Sequence, residues 1–177
     1  TLAYGLGIAV SPMQLAQAYA VLGNGGYRVT PKLYRDAPNF EPERVADAGL
    51  IDDVLQMLRG VVETGTATRA ATESYDVAGK TGTIHFYGES GYEAHEYSAV
   101  FAGLAPAEDP RIVTIVVIHK PQTDAYGGGS VAAPVFSATT EATLRILGET
   151  PSAAISNKLS SATLHSNAVA QQSGALQ

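Results

Sequence analysis

Apolar residues recur at helical spacing in two segments of the N-terminal half of the chain. In residues 15–22 they return every three or four positions, directly after Ser11-Pro12. Because Ser caps free backbone N–H groups and Pro fits the first helical position, we predict a helix that begins there. The glycines within 23–26 tolerate positive φ and end it. The amphipathic pattern of residues 50–62 predicts a second helix.

Alternating and β-branched runs predict the strands. We expect extended segments at residues 27–33, 75–84, 97–104 and 111–119, separated by loops that include residues 34–48 and 86–96. The run 111–119 is almost continuously β-branched, which indicates a central strand that is buried on both faces. With 97–104 it should form an antiparallel hairpin that has a polar, proline-containing tip.

The C-terminal third contains one more predicted helix and a change in composition. Pro134 opens the helix, after a Gly-rich segment (127–130) that is either flexible or closely approached by its neighbours. After Thr150, Ser, Ala, Gln and Asn dominate, so we divide the chain into a domain at 1–150 and a mostly disordered tail at 151–177. Strands grouped between helices predict an α+β fold, an antiparallel sheet flanked by helices.

Composition narrows the classes of function. The 177 residues are 45% hydrophobic and 16% charged, as is usual for a folded domain with a core. A net charge of −6 without a basic stripe argues against nucleic acid as a partner. The chain has no cysteine and its four histidines are scattered, so we predict neither a metal site nor a cofactor. The longest apolar run, Ile112–Ile118, is too short to span a bilayer.

The segment with obvious chemical content is Gly79–Thr83, sequence GKTGT, and three interpretations are open. A phosphate-binding loop would need a glycine where Ser74 stands and a helix where Gly82 and Thr83 follow. An exposed turn with a solvated lysine is the commonest fate of so short a motif. The third interpretation is the KTG element of the serine penicillin-recognising enzymes.

The third interpretation agrees with the chemistry of the residues. A ligand that ends in a carboxylate needs a cation and hydroxyl donors, which Lys80, Thr81 and Thr83 provide. Gly82 lets a ligand approach the strand backbone closely. Backbone N–H groups on such a strand can pair with a peptide-like ligand or stabilise a developing oxyanion.

Other segments of these enzymes occur here in the same order. They are Gly5–Ala16, Asn24–Gly26, Gly65–Ala67, Ala78–Thr83, Phe101–Pro106, and Tyr126–Gly128 followed by Ala133–Phe136. On these segments, residues 4–147 resemble the class B penicillin-binding proteins, and the last two segments favour the division type over the elongation type.

The resemblance implies roles for the motif. Lys80 would line the active-site cleft and set its electrostatics, and the hydroxyls of Thr81 and Thr83 would bind the terminal carboxylate of a stem peptide or β-lactam. The backbone N–H of Thr83 would supply half of the oxyanion hole. Lys80 and Thr83 are therefore the catalytic candidates, Thr81, Gly82 and Thr83 the substrate-binding ones, and the loop Tyr126–Gly128 would border the acyl-donor pocket.

The departures from the family pattern are two missing motifs. No serine here has a lysine three residues later, and there is no SxN. Acyl transfer needs a nucleophile held beside a base, so we expect the chain alone to be inactive and to work with the N-terminal part of the same enzyme. A fragment of a hydrolase of the same superfamily and a non-catalytic binding module stay open as alternatives.

The resemblance also implies a function and partners. The complete enzyme would be a serine-type D,D-transpeptidase that cross-links stem peptides ending in D-Ala-D-Ala during septal wall synthesis and is acylated by β-lactams. It would lie in the periplasm, attached to the inner membrane by an N-terminal anchor outside this sequence. Its protein partners would be division proteins, including a glycosyltransferase.

Overall fold

The computed structural model describes residues 7–88, 91–122 and 126–152. The helices are α1 (Pro12–Gly23), α2 (Ala48–Glu63) and α3 (Ala133–Leu147), with a 3-10 turn at Thr68–Ala70 and a π-helical turn at Gly128–Ala132. The strands are β1 (Tyr27–Arg28), β2 (Glu43–Arg44), β3 (Ala78–Gly88), β4 (Gly91–Ala105) and β5 (Ile112–His119). Nearly all of the predicted tail lies outside the described residues. No helix in these ranges is both long and apolar enough to cross a membrane.

Helix α1 begins where the sequence predicts. The Ser11 hydroxyl accepts a hydrogen bond from the Gln14 amide at 3.2 Å, and the Gln14 side chain accepts one from the Ser11 amide at 2.8 Å. This reciprocal capping box satisfies two N–H groups that the first turn leaves free. After the helix, Gly26 has φ +92°, and a Cβ there would lie 2.2 Å from the carbonyl oxygen of Ala46. The start of α1 is thus determined by local backbone chemistry, whereas glycine at position 26 is required both by its positive φ and by the close approach of Ala46.

The predicted strand 27–33 and loop 34–48 were partly wrong. Only Tyr27–Arg28 is strand, and it pairs antiparallel with Glu43–Arg44, which lies inside the predicted loop. The Arg44 guanidinium lies 4.4 Å from the centroid of the Tyr27 ring. A strand pair of only two residues on each side is stabilised by such cross-strand contacts. The β propensity of the local sequence does not predict these contacts.

The main sheet is antiparallel with the order β3-β4-β5, so β4 is its middle strand. The predicted loop 86–96 was wrong, because β3 and β4 stay paired out to Gly88 opposite Gly91. Residues 89 and 90 lie outside the described ranges. Each of these strands supplies the other's hydrogen-bond partners, so a Gly-rich and polar sequence can remain extended here.

The β4–β5 hairpin is confirmed, but the expected position of β5 is not. The strands pair from Ser98 opposite His119 to Ala105 opposite Ile112. Among the described strands β5 is an outer one, and its residues 112–118 are only half-buried. Most of the buried strand residues belong instead to β4. A β-branched run indicates β propensity and does not indicate where the strand lies in the sheet.

Helices cover both faces of the sheet, which confirms the α+β class. On one face, the rings of Phe101 in β4 and Phe136 in α3 lie 4.5 Å apart, and both are fully buried. Successive strand residues point to opposite faces, so Leu104 faces the other side. There it packs with Tyr19 of α1 and Leu55 of α2. β3 is therefore held between helices, along an outer edge of the described sheet.

Two polar contacts hold the segment that leads into β3. Asp76 forms an ion pair with Arg59 of α2, and both side chains are largely buried. Burial raises the pKa of Asp76, and the positive charge of Arg59 opposes that rise. Glu141 of α3 accepts hydrogen bonds from the Ser74 amide at 3.2 Å and from Arg145 at 2.9 Å. The start of the motif strand is thus tied to α2 and to α3.

Candidate active site

The predicted site residues all lie on β3. Lys80 pairs with Ala102, Thr81 with Phe101, and Thr83 with Ala99. Because side chains alternate along a strand, Thr81 and Thr83 face the side on which α3 packs, whereas Lys80 and Gly82 start from the other side.

The Lys80 side chain is exposed, and its ammonium nitrogen lies 3.1 Å from the Thr81 carbonyl oxygen and 3.4 Å from the Thr81 hydroxyl oxygen. The lysine therefore bends around the outer edge of β3. Its charge and the Thr81 hydroxyl meet although the two residues begin on opposite faces.

The Gly-rich segment crosses the sheet face at Gly82. The Gly128 amide donates a hydrogen bond to the Thr83 hydroxyl oxygen at 3.3 Å. A Cβ on Gly128 would lie 2.3 Å from the carbonyl oxygen of Val100 and 2.6 Å from that of Gly82. Of the two predictions for this segment, close approach is confirmed. Approach of a ligand to Gly82 stays a prediction.

A cleft of about 520 Å³ opens beside the Thr side of β3. The residues that line it come from β3, from the 3-10 turn and the residues before it, and from the Gly-rich segment: Thr66, Thr68, Arg69, Thr81, Thr83, Gly127, Gly128, Gly129 and Ser130. The Thr66 and Thr81 hydroxyl oxygens lie 3.0 Å apart, which brings hydroxyl groups from two separate segments into one place.

Sequence reasoning missed part of this lining. Thr66 lies in Gly65–Ala67, a segment that carries the resemblance, yet nothing in the sequence places it against Thr81. No motif or pattern in the sequence indicates that Arg69 belongs to the site. Its guanidinium donates to the Ser130 carbonyl at 3.2 Å, across 61 residues of sequence. Contacts over such separations are created by the tertiary fold alone.

The aromatic residues near the cleft form a stack. The rings of Tyr97 and Tyr126 lie 4.0 Å apart and almost parallel, and His85 meets Tyr97 edge-on at 4.5 Å. Tyr126 thereby holds the start of the segment whose Gly127 and Gly128 line the cleft.

The described residues in and beside the cleft carry positive charge. Arg69 is a cation in the lining of the cleft, and the Lys80 ammonium lies beside Thr81. Among the described lining residues there is no Asp or Glu. Hydroxyl donors with cations nearby fit a carboxylate. In the part of the chain that the structure describes, no group of three or more His, Asp or Glu side chains is arranged to hold a metal ion.

Comparison with known proteins identifies the class. The family model described as the penicillin binding protein transpeptidase domain matches residues 1–141, so the chain belongs to this family. It is 37% identical over 154 residues to the peptidoglycan D,D-transpeptidase FtsI of Escherichia coli, covering 86% of this chain and 26% of that protein. It is 38% identical over 152 residues to the probable peptidoglycan D,D-transpeptidase PbpC of Pseudomonas aeruginosa, covering 85% and 27%.

A solved structure agrees with the fold. The apo transpeptidase domain of Burkholderia pseudomallei penicillin-binding protein 3 superposes with a TM-score of 0.77 at 39% identity, covering 85% of this chain and 46% of that domain. The chain thus spans about a quarter of the length of these two relatives and about half of the solved domain.

Proposed function

We propose that this chain supplies the substrate-binding side of the active site of a serine-type peptidoglycan D,D-transpeptidase. One observation carries the proposal: the Lys80 ammonium nitrogen lies 3.4 Å from the Thr81 hydroxyl oxygen. Both residues are on an outer strand of the described sheet, beside a cleft whose described lining contains no carboxylate. The names of the relatives, peptidoglycan D,D-transpeptidases in two bacteria, support the same reaction class.

In the proposed reaction, the terminal carboxylate of a stem peptide binds the hydroxyls of Thr81 and Thr83 near Lys80. A serine outside this sequence attacks the carbonyl carbon of the penultimate D-Ala, and the Thr83 N–H stabilises the oxyanion. The C–N bond breaks and the terminal D-Ala leaves with a proton. An amine of a neighbouring stem peptide then attacks the ester carbonyl carbon and forms the cross-linking amide. The C–O bond to the serine breaks, and one of the amine's own protons passes to the serine oxygen. A β-lactam acylates the same serine by opening its ring.

We further propose the division type, acting in the periplasm through a membrane anchor, with a glycosyltransferase among its partners. The Tyr126–Gly128 and Ala133–Phe136 segments support that type, as does the 39% identity to a penicillin-binding protein 3 domain. These assignments concern a protein of the relatives' full length, of which this chain spans about a quarter.

Labelling with a fluorescent penicillin tests the proposal. In the complete protein that carries this sequence, we expect a labelled band on a denaturing gel and slow release of the label. Lys80→Ala should slow labelling by about a hundredfold, because a preorganised charge at the site is lost. Lys32→Ala removes an exposed lysine outside the cleft lining and serves as the control.

Each outcome of this experiment has one meaning. An unlabelled protein would refute penicillin recognition and leave a non-catalytic module. Rapid release of the label would indicate a hydrolase of the same superfamily. Normal labelling of the Lys80→Ala variant would remove Lys80 from the site.

A further inference from the structure

Arg69 is held at the cleft by the turn on which it lies. The neighbouring residues Ala67 and Ala70 are fully buried, and the Ala70 amide donates to the Ala67 carbonyl at 2.8 Å. These contacts fix the 3-10 turn against the core. Thr68 and Arg69 are left exposed, and both line the cleft. The guanidinium is therefore carried by a rigid support and not by a loose loop.

The charge of Arg69 is not neutralised by any carboxylate of the residues that the structure describes. Several arginines are paired with carboxylates, namely Arg28 with Glu43, Arg59 with Asp76, Arg111 with Glu149 and Arg145 with Glu141. Within the described ranges, Arg69 forms no ion pair, and its hydrogen bond goes to the neutral carbonyl of Ser130 at 3.2 Å. A guanidinium has five N–H donors, so donors and charge remain for a ligand.

Arg69 also lies close to the hydroxyl groups of the site. It is three residues after Thr66, whose hydroxyl oxygen is 3.0 Å from that of Thr81. Its acceptor Ser130 follows Gly129, where a Cβ would lie 2.2 Å from the Thr66 carbonyl oxygen and 3.5 Å from the Thr81 methyl carbon. The turn that carries Arg69, the Gly-rich segment and β3 therefore meet at one point beside the cleft.

We infer that Arg69 is a second carboxylate-binding cation of the cleft, which determines its preference for acyl donors with a free C-terminal carboxylate. The identity of the donor rests on the proposed function. Lys80 brings a point charge from the strand edge, whereas the planar guanidinium can offer two parallel N–H groups to one carboxylate. Arg69 therefore acts on binding of the donor before the covalent step.

A ligand pair that differs only in charge tests this inference. The probes are an N-acetylated tripeptide that ends in D-Ala-D-Ala and its C-terminal amide, titrated into the complete protein and followed by ligand-observed NMR. Arg69→Gln should weaken binding of the acid about tenfold, the loss of roughly one charged hydrogen bond, and change binding of the amide less than about twofold. Arg69→Lys should retain part of the preference. Arg28→Gln removes the same charge from β1, outside the cleft lining, and should change neither.

The alternatives are separable. Equal weakening of acid and amide by Arg69→Gln would show that Arg69 only holds the Gly-rich segment, and would overturn the inference. No preference of the wild-type protein for the acid would overturn it as well. Penicillin labelling is measured separately, so a protein that prefers the acid through Arg69 but is never acylated would refute the transpeptidase proposal and support the Arg69 site.

Discussion

The replacement Gly128→Ala should damage both folding and the site, because backbone atoms surround the position. The new Cβ would lie 2.3 Å from the Val100 carbonyl oxygen, 2.6 Å from the Gly82 carbonyl oxygen and 3.1 Å from the Gly82 nitrogen. Side-chain atoms could rotate away, but these belong to paired strands of the sheet. Since real Cβ contacts essentially never fall below 3.0 Å, the Gly-rich segment must move outward by at least the difference of 3.0 and 2.3 Å, or 0.7 Å.

The size of the effect follows from this displacement. Overpacking a close contact costs about 1–3 kcal/mol, and loss of the 3.3 Å hydrogen bond from the Gly128 amide to Thr83 costs about 1 kcal/mol more. We therefore expect a loss of about 2–4 kcal/mol in the free energy of unfolding. The Thr83 hydroxyl also loses its donor. A shift approaching 1 Å in a positioning group slows chemistry by about a hundredfold.

Denaturant unfolding and penicillin acylation rates, both in the complete protein, measure the two effects. Gly60→Ala is the control, because no atom lies within 4 Å of its added Cβ and alanine is favoured over glycine within α2. We expect that control to be as stable as the wild type or more so. If Gly128→Ala unfolds and acylates like the wild type, the close approach of this segment to the sheet is not as described.

Two further substitutions test single contacts. Thr66→Val keeps the volume of an exposed residue but removes the hydroxyl 3.0 Å from that of Thr81, so we expect acylation to slow by about fivefold to tenfold with little change in thermal stability. Burial raises the pKa of Glu141, but hydrogen bonds from Ser74 and Arg145 outweigh it and leave that pKa lowered. A lowered carboxyl pKa contributes stability that is present above the ordinary value of 4.5 and is lost as the pH falls through the folded-state pKa. Glu141→Gln should therefore cost about 1 kcal/mol at neutral pH, with the difference shrinking in acid; a pH-independent difference in unfolding free energy would contradict this.

The sequence by itself determined the elements that depend on neighbouring residues. The capping pair Ser11 and Gln14 marks the start of α1, since both partners lie within one turn. The GKTGT segment is extended as expected, and the hairpin of β4 and β5 is bounded by its own turn residues. The family resemblance was also readable from the order of short motifs, and the family match confirms it.

The tertiary structure alone decided the features that join distant segments. The β1–β2 pair, the long β3–β4 pairing through the predicted loop 86–96, and the outer position of β5 depend on partner strands. The cleft depends on them even more, because Thr66, Arg69 and Ser130 approach β3 only after helices and sheet have packed. The periodicity of the sequence predicts on which face of a helix or strand a side chain lies. Which distant residues come into contact depends on how those faces pack against each other in the folded protein.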